Sequence, residues 1–262
     1  AQGWAGIEAL SGIPGSSGAA PIQNIGAYGQ ELSSTLVAID FLDYLGGDLV
    51  RLPAAELGLG YRTSALKQGR EGVVVAIELE LRASVDGIVE FPQLASALGV
   101  SLGDRVSLGE IRDRVLALRA SKGMLLDPAD PDSVSCGSFF TNPIVGENFA
   151  RGLPGDAPRW QVEPEAADLA LPLGSALPAR PESSDRVKLS AAWLIEQSGI
   201  GKGFALPGSR AAISSKHTLA ITNRGGASAE EVAELARYIE AMVLSRFGVN
   251  LFPEPVAVGL QL

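Results

Sequence analysis

The sequence predicts a protein of the α+β class, on three observations. Two segments rich in β-branched and aliphatic residues, 36–42 and 73–81, are typical of strands. Two further segments, which begin at Ser107 and Ser228, join a helix N-cap signal to apolar residues at helical spacing. The strands and helices do not alternate with the regular βαβ period of a doubly wound sheet, so the coarse class is α+β.

The composition excludes several function classes. The chain has 262 residues, of which 46% are hydrophobic, enough for one large core or two smaller ones. Its 21 Lys and Arg against 30 Asp and Glu give a net charge of −9, which disfavours a nucleic-acid partner. One cysteine and one histidine exclude an intrachain disulfide and the usual structural zinc site. With no stretch of about 18 to 20 apolar residues, we expect a cytoplasmic monomer without a membrane partner.

The first thirty residues are dense in Gly, Ser and Ala, a composition that allows close approach to the backbone. The segment from Gly12 to Gly18 carries unhindered backbone N–H groups and two serine hydroxyls, which could cradle a diphosphate. The spacing does not match a P-loop. Glycines that only make turns are the alternative interpretation.

The second predicted strand alternates Ile77 and Leu79 with charged residues, so one of its faces is expected to contact solvent. The helix after Ser107 places Ile111, Val115 and Leu118 on one face, and a boundary between two lobes is predicted near residue 126.

The second half of the chain predicts two helices and one long connection. A helix over about 190–198 ends at Gly199, a favourable residue for a helix C-terminus. The capping box Ser228 to Glu231 begins an amphipathic helix with Val232, Leu235 and Ile239 on its apolar face. Residues 151–186 are rich in Pro, Gly and Ala and predict a surface connection or a poorly ordered insert.

Three polar residues are candidates for chemistry, and each also has an ordinary structural interpretation. Arg62 follows Tyr61 in a loop that could be a plain surface turn. Ser138 lies in a turn of small residues before two phenylalanines, which could present its hydroxyl to a cavity. Glu254 lies between two prolines, which restrict its backbone, although such prolines can also simply end an element.

His217 is the one histidine and therefore the only imidazole available to Ser138. A Ser-His-Asp hydrolase is disfavoured because the Gly-x-Ser-x-Gly elbow is missing around Ser138. A partly exposed histidine at the start of a strand is the simpler interpretation, and a substrate hydrogen-bond donor is the alternative. Cys136 has no evident partner base, so we expect a small buried side chain.

Five segments in this order resemble the UDP-N-acetylenolpyruvoylglucosamine reductase family, over nearly the whole chain. The stretch from Gly6 to Gly29 is similar to that family's flavin-binding motif. The other four are Gly60-Tyr-Arg-Thr-Ser64, Gly137-Ser-Phe-Phe-Thr-Asn-Pro143, Lys188-Leu-Ser-Ala-Ala-Trp-Leu-Ile-Glu-Gln197 and Leu251-Phe-Pro-Glu254. Together these ordered motifs are far more specific than any one of them.

The resemblance implies an FAD cofactor that NADPH reduces and that passes a hydride to the β-carbon of an enolpyruvyl ether on a UDP-sugar substrate. In that scheme Ser138 protonates the α-carbon of the enol intermediate. Arg62 stabilises the charge that develops next to the substrate carboxylate. An ionised Glu254 would repel that charge, so we infer that Glu254 is protonated or relays a proton through Ser138 or a water.

The resemblance also assigns binding residues by position. It implies that FAD contacts Gly12, Ile13, Pro14, Gly15, Ser16, Ser17, Gly18, Asn24, Gly26, Ala27, Tyr28 and Gly29. It implies that the substrate contacts Tyr61, Lys122, Gly137, Asn142 and His217, with Lys122 at the diphosphate. No metal site is implied.

The resemblance finally predicts the domain organisation. Residues 1–125 are expected to be the second half of an FAD-binding domain like that of vanillyl-alcohol oxidase, with an inserted loop over about 83–108. Residues 126–250 would form an α+β substrate-binding domain, and 251–262 would return to the flavin lobe.

Two departures from the family pattern lead to alternatives. The family's first flavin-binding segment has no counterpart here, and Phe91 stands nearest to an expected tyrosine that contacts the diphosphate. A truncated, inactive nucleotide-sugar-binding fragment is therefore one alternative. Another flavin oxidoreductase of the same fold with a different substrate is a second alternative.

Overall fold

The chain forms two compact units, Ala1–Ser133 and Val134–Leu262, called here the N-terminal and C-terminal units. The structure is a computed structural model that describes residues 3–162 and 185–260. The predicted boundary near residue 126 lies inside the N-terminal unit, where the Asp127 N–H donates a hydrogen bond to the Ser133 hydroxyl and closes the last segment of that unit.

Within its described residues, the N-terminal unit has nine strands and two α-helices. The strands are β1 Trp4–Ala5, β2 Gly26–Ala27, β3 Gln30–Glu31, β4 Leu36–Asp43, β5 Leu49–Pro53, β6 Gly72–Leu79, β7 Arg82–Ala83, β8 Asp86–Ile88 and β9 Arg105–Ser107. The helices are α1 Pro92–Leu98 and α2 Leu108–Ser121.

The largest sheet of this unit has the order β5-β4-β6, with antiparallel pairs throughout. Both predicted strands are confirmed within two residues, and β6 alternates as expected, with Ile77 and Leu79 packed against the core. Ile39 and Phe41 of β4 are almost fully buried in that core, because β4 is the central strand. This sheet supports the glycine-rich segment, whose Gly18 packs against Val74.

The predicted inserted loop, 83–108, has secondary structure of its own. An antiparallel β8–β9 hairpin encloses α1, and α1 packs with α2 around Val89, Leu94 and Val115. Ser107 caps α2 as predicted by accepting a hydrogen bond from the Glu110 N–H at 3.3 Å.

In the part of the C-terminal unit that the structure describes there are six strands and three α-helices. The strands are β10 Ser135–Ser138, β11 Ile144–Gly146, β12 Arg159–Gln161, β13 Arg186–Leu189, β14 Ala211–Ile213 and β15 Ala220–Asn223. The helices are α3 Glu147–Arg151, α4 Ala191–Gln197 and α5 Ala229–Phe247.

Two three-stranded antiparallel sheets, β10-β15-β14 and β11-β13-β12, share one hydrophobic core with α4 and α5. The predicted capping box is confirmed, since the side chains of Ser228 and Glu231 each accept from the other's backbone N–H. The helix predicted over 190–198 is α4, and Gly199 follows it with a φ of 87°. These helices hold the β10 sheet that carries the serine motif.

Two predictions concern segments outside these helices and strands. Most of the predicted connection over 151–186, namely 163–184, lies outside the described residues. In the structure the segment that follows Leu251 belongs to the C-terminal unit, where Phe252 accepts a hydrogen bond from the Thr141 N–H. No helix in the described ranges is long and apolar enough to cross a membrane.

Candidate active site

The glycine-rich segment presents exposed backbone where the sequence predicted a diphosphate cradle. Residues 14–17 are exposed, and Gly15 has a φ of 116°, which side chains rarely adopt. A Cβ added at Gly15 would meet no atom within 4 Å, so this turn faces open space. A cradle needs this combination of accessible N–H groups and unhindered approach.

Asn24 is a scaffold for this segment. It is fully buried, and its amide donates to the Glu31 carboxylate at 2.9 Å and to the Gly60 carbonyl at 3.1 Å. Its oxygen accepts from the Ser33 N–H at 2.8 Å. The polar atoms of this side chain are thus bonded to protein groups, and its predicted contact with FAD stays a prediction.

Arg62 lies at the tip of a tight hairpin turn, in which Gly60 and Thr63 exchange backbone hydrogen bonds. Its φ is 55°, in the left-handed region where a residue with a Cβ is strained. Its guanidinium donates to the Gly26 carbonyl at 2.7 Å and lies 5.4 Å from the centre of the Tyr61 ring. The turn therefore holds Arg62 against the glycine-rich segment, as neither motif alone could show.

Lys122 and Tyr28 lie close together, with the Lys122 Nζ 5.7 Å from the centre of the Tyr28 ring. Lys122 also donates to the Gln93 side chain at 2.9 Å. Burial lowers the pKa of Lys122, and the nearby positive charge of Arg119 lowers it further. Burial also raises the pKa of Tyr28, so its hydroxyl stays protonated near neutral pH.

Phe91, the nearest match to the expected tyrosine, packs edge-on against Tyr28 with ring centres 5.8 Å apart. Phe91 therefore adds a second aromatic ring beside Tyr28, the partner of Lys122, but it has no hydroxyl group that could donate a hydrogen bond to a diphosphate.

Arg119 is a residue that the sequence interpretation missed. It is 8% exposed, and burial lowers its pKa. One guanidinium nitrogen donates to the Met124 carbonyl at 3.1 Å, whereas its Nε is buried without a hydrogen-bond partner among the described residues. A Cβ added at Gly12 would lie 3.4 Å from that Nε, so the cation lies behind the glycine-rich turn.

A signal for Arg119 was present in the sequence. Arg119 follows Ile111 and Val115 at spacings of eight and four, on the apolar face of α2. A charge at a core-facing helix position is costly unless it has a function or a partner. It marks a candidate site.

In the C-terminal unit Ser138 is the last residue of the strand β10. The small residues around it had predicted a turn instead. Its strand pairs with β15, with an irregularity between Ser135 and Ser138. Gly137 fits this irregularity because its φ is 82°, a conformation that favours glycine. The kink follows from Gly137, and it turns the Ser138 side chain towards the loop before β15.

That loop carries His217, whose Nε2 lies 3.3 Å from the Ser138 hydroxyl oxygen. The loop is held by Ser214, which is fully buried and accepts hydrogen bonds from the N–H groups of Lys216 and His217. The Ala220 N–H in turn donates to the His217 carbonyl at 3.0 Å. The structure thus brings together a serine and a histidine that lie 79 residues apart.

Glu254 lies on the other side of the same serine motif. Its N–H donates to the Phe139 carbonyl at 2.7 Å, and Phe140 and Pro253 form a bridge between the two segments. Glu254 is half-buried there. Glu254 is thus bonded to Phe139, the residue that directly follows Ser138 in the chain.

Cys136 is exposed, contrary to our expectation of a small buried side chain. The exposure follows from the position of β10 at the edge of its sheet. Cys136 has no partner in the register between β10 and β15. Although the residue is exposed, neighbouring atoms partly desolvate its thiol, which raises the pKa of the thiol. The negative charge of Glu254 raises that pKa further. The thiol is therefore protonated near neutral pH and a weak nucleophile.

Asn142 has a contact of its own in this unit. Its side-chain oxygen accepts from the Ala191 N–H at 3.0 Å, at the first turn of α4. This bond ties the serine motif to the helix of the Lys188–Gln197 motif. The substrate roles predicted for Asn142, Gly137, Tyr61, Lys122 and His217 stay predictions.

Comparisons with known proteins agree with these motifs. Residues 128–258 match the family model described as UDP-N-acetylenolpyruvoylglucosamine reductase, C-terminal domain. The whole chain is 61% identical to the UDP-N-acetylenolpyruvoylglucosamine reductase of Leifsonia xyli, of which it covers 73%. It is 46% identical to the enzyme of that name from Salinispora arenicola, of which it covers 69%.

A solved structure is similar as well. The reductase of the same name from Thermus caldophilus matches 96% of this chain and 64% of its own, with a TM-score of 0.56 and 25% identity. The chain thus spans about two thirds to three quarters of the length of these relatives.

Proposed function

From its membership of the UDP-N-acetylenolpyruvoylglucosamine reductase family, to which this chain belongs, we propose that it reduces the enolpyruvyl ether of that UDP-sugar with NADPH and a bound FAD. The product would be UDP-N-acetylmuramate, a precursor of the bacterial cell wall. The observation that carries this proposal is the Glu254–Phe139 bond, which sets a carboxyl group beside the Ser138 motif.

The residues of the N-terminal unit fit a flavin cofactor with its diphosphate. The exposed turn at Gly15 offers backbone donors, and the buried cation of Arg119 behind Gly12 adds positive charge. The Nε of Arg119 is a buried donor without a partner among the described residues, so a bound acceptor would satisfy it. Residues 12–18 and 26–29 are the ones we propose to hold the cofactor.

When bound, the flavin would supply the hydride that is added to the β-carbon of the enolpyruvyl group. Ser138 would donate the proton that is added to the α-carbon, so that one hydride and one proton complete the reduction. Arg62 would stabilise the negative charge that spreads into the carboxylate as the enol forms. Its tether to Gly26 fixes its guanidinium before substrate arrives.

Glu254 is proposed as a proton relay to Ser138. A glutamate beside a developing enolate helps only if it carries or passes on a proton. The bond from its N–H to Phe139 holds its backbone while the side chain stays half-buried. Glu254→Gln is expected to slow the second half-reaction and to leave flavin reduction by NADPH unchanged, and near-full turnover would rule out the relay.

The first test is retention of FAD by this chain. The chain is mixed with excess FAD, unbound cofactor is removed, and the visible absorption spectrum is recorded. Retained flavin together with NADPH oxidation that depends on the enolpyruvyl substrate would support the proposal. Retained flavin without substrate-dependent oxidation would point to a different flavin oxidoreductase.

A nucleotide-sugar-binding fragment without activity is the alternative to the reductase. Titration with the UDP-sugar in a calorimeter distinguishes it. Substrate binding without flavin retention would support the fragment and contradict the reductase.

A further inference from the structure

We propose that His217 is a positioning residue for Ser138. The His217 imidazole donates its Nε2–H to the Ser138 oxygen and returns a proton to that oxygen after each turnover. This inference rests on the proposed reduction. A serine hydroxyl is a very weak acid, and proton donation to carbon needs a neighbour that stabilises the alkoxide left behind. The 3.3 Å contact between the Ser138 oxygen and the His217 Nε2 provides that neighbour.

The loop that carries His217 is built to keep this contact. Ser214 is fully buried on β14's side of the loop and ties down two consecutive backbone N–H groups, those of Lys216 and His217. On the other side, Ser138 is paired in register with Ala220 of β15. Because both partners are fixed by sheet and loop backbone, the side-chain contact needs little ordering when substrate binds.

The proton balance of the step is closed. Ser138 gives the hydroxyl proton to the substrate α-carbon, and the serine oxygen takes a proton from the Nε2–H of the His217 imidazolium. The imidazole that remains regains a proton from solvent by way of the Glu254 carboxyl group, the relay proposed above, so that one chain of donors restores the one proton that Ser138 gives up. No oxidant, reductant or further reactant is needed.

The direction of proton flow separates this role from a hydrolase. In a serine hydrolase the imidazole accepts the serine proton so that the oxygen attacks a carbonyl. Here the imidazole must donate, so the active form is the imidazolium. Imidazole is the side chain that ordinarily titrates between pH 5 and 8, so the proton-donating half-reaction should slow as pH rises through that range.

Other titratable groups surround the pair and are included in the interpretation of a pH profile. Cys136 lies on β10, and Glu254 lies on the segment bridged to residues 139–141. Lys216 precedes His217 in the loop. Glu196 of α4 accepts a hydrogen bond from Thr218, the residue after His217.

The first experiment observes the pair without any turnover. The chain contains one histidine, so the ¹⁵N imidazole resonances of the full-length labelled chain are assigned without ambiguity. We expect the Nε2 resonance and its pH titration to shift in Ser138→Ala. Superimposable titrations of the two proteins would overturn the proposal, whether or not the chain proves to be a reductase.

The second experiment measures the proton-donating step. Flavin in the NADPH-reduced holoenzyme is reoxidised by substrate in a stopped-flow instrument between pH 5.5 and 8.5. His217→Ala is expected to lower this rate at the acidic end by about 100-fold, the lower end of general acid contributions. His217→Gln keeps a donor without a titrating group, so we expect an intermediate rate that does not vary over this range.

Two controls make the outcome specific. Exposed Lys216→Gln changes the charge of the same loop and should retain the wild-type pH profile. Flavin reduction by NADPH should be equal in all four proteins. A His217→Gln enzyme with the wild-type rate and pH profile would overturn the positioning role, whereas a wild-type enzyme that substrate does not reoxidise would contradict the proposed function instead.

Discussion

The two units position their candidate residues by different means. The N-terminal unit places them on turns, and the three non-glycine residues with positive φ in the described ranges, Asn24, Tyr28 and Arg62, all belong to it. The C-terminal unit places Ser138 on β10 and Glu254 on an extended segment that is bridged to residues 139–141. A site on turns needs side-chain tethers, whereas a site on strands is held by backbone pairing.

This difference predicts where each unit is sensitive. Strained backbone persists only where the surroundings determine it strongly, and here the tethers are Asn24 and the Arg62–Gly26 bond. In the C-terminal unit, many backbone hydrogen bonds between strands hold the candidate residues, so no single side chain is essential for their position. Single substitutions should therefore disturb the turns of the N-terminal unit more than the serine strand.

The largest expected effect is that of Asn24→Ala. The substitution removes the side-chain hydrogen bonds to the Ser33 N–H, the Gly60 carbonyl and the Glu31 carboxylate, each worth about 1 kcal/mol. We expect a loss of about 3 kcal/mol in the free energy of unfolding, measured by urea denaturation. The exposed Asn148→Ala is the control, and an equal loss in both variants would contradict the scaffold role.

Arg62 tests whether backbone strain is stored in its turn. Glycine adopts a φ of 55° without the penalty that a Cβ adds, about 1 to 2 kcal/mol. Arg62→Gly and Arg62→Ala remove the same guanidinium, so we expect the glycine variant to be more stable by about 1 kcal/mol in thermal unfolding. Neither should reduce substrate. Equal stability of the two variants would show that this turn stores no strain.

A smaller effect is expected at the N-terminal cap of α5 in the C-terminal unit. Ser228→Ala should cost about 1 kcal/mol, measured by denaturation at pH 7. Hydrogen bonds from the N–H groups of Ser228 and Arg210 lower the pKa of Glu231. Its folded pKa therefore lies below the unfolded one, so its contribution is present at neutral pH and is lost as pH falls through the folded pKa.

Glu231→Gln checks the sign of this pH dependence. The stability difference from the wild type should be largest at neutral pH and vanish in acid. A difference that grows as the pH falls would contradict the assignment of the lowered pKa.

The smallest effect is expected at Cys136. Glu254→Gln removes a negative charge that raises the pKa of the thiol, so iodoacetamide should alkylate Cys136 faster at pH 8. The acceleration should stay below about tenfold, because desolvation is the larger cause and is left in place. Exposed Glu234→Gln should not change the rate, and an unchanged rate in Glu254→Gln would place the carboxylate away from the thiol.

The sequence predicted the regular elements better than the site contacts. Strand alternation in β6, the N-cap of α2 and the capping box of α5 are local patterns, so they could be predicted from a few neighbouring residues. The burial of Asn24 and Arg119 and the Ser138–His217 contact depend on partners distant in sequence. A local pattern carries no information about such partners, apart from the misplaced charge of Arg119 on an apolar helix face.

The central claim is that the N-terminal unit serves the flavin and that Ser138 of the C-terminal unit serves the proton transfer. It is tested most directly by following both half-reactions of Ser138→Ala in a stopped-flow instrument, with flavin absorbance as the signal. The account predicts normal flavin reduction by NADPH and a loss of reoxidation by the enolpyruvyl substrate. Equal damage to both half-reactions, or reoxidation at the wild-type rate, would contradict it.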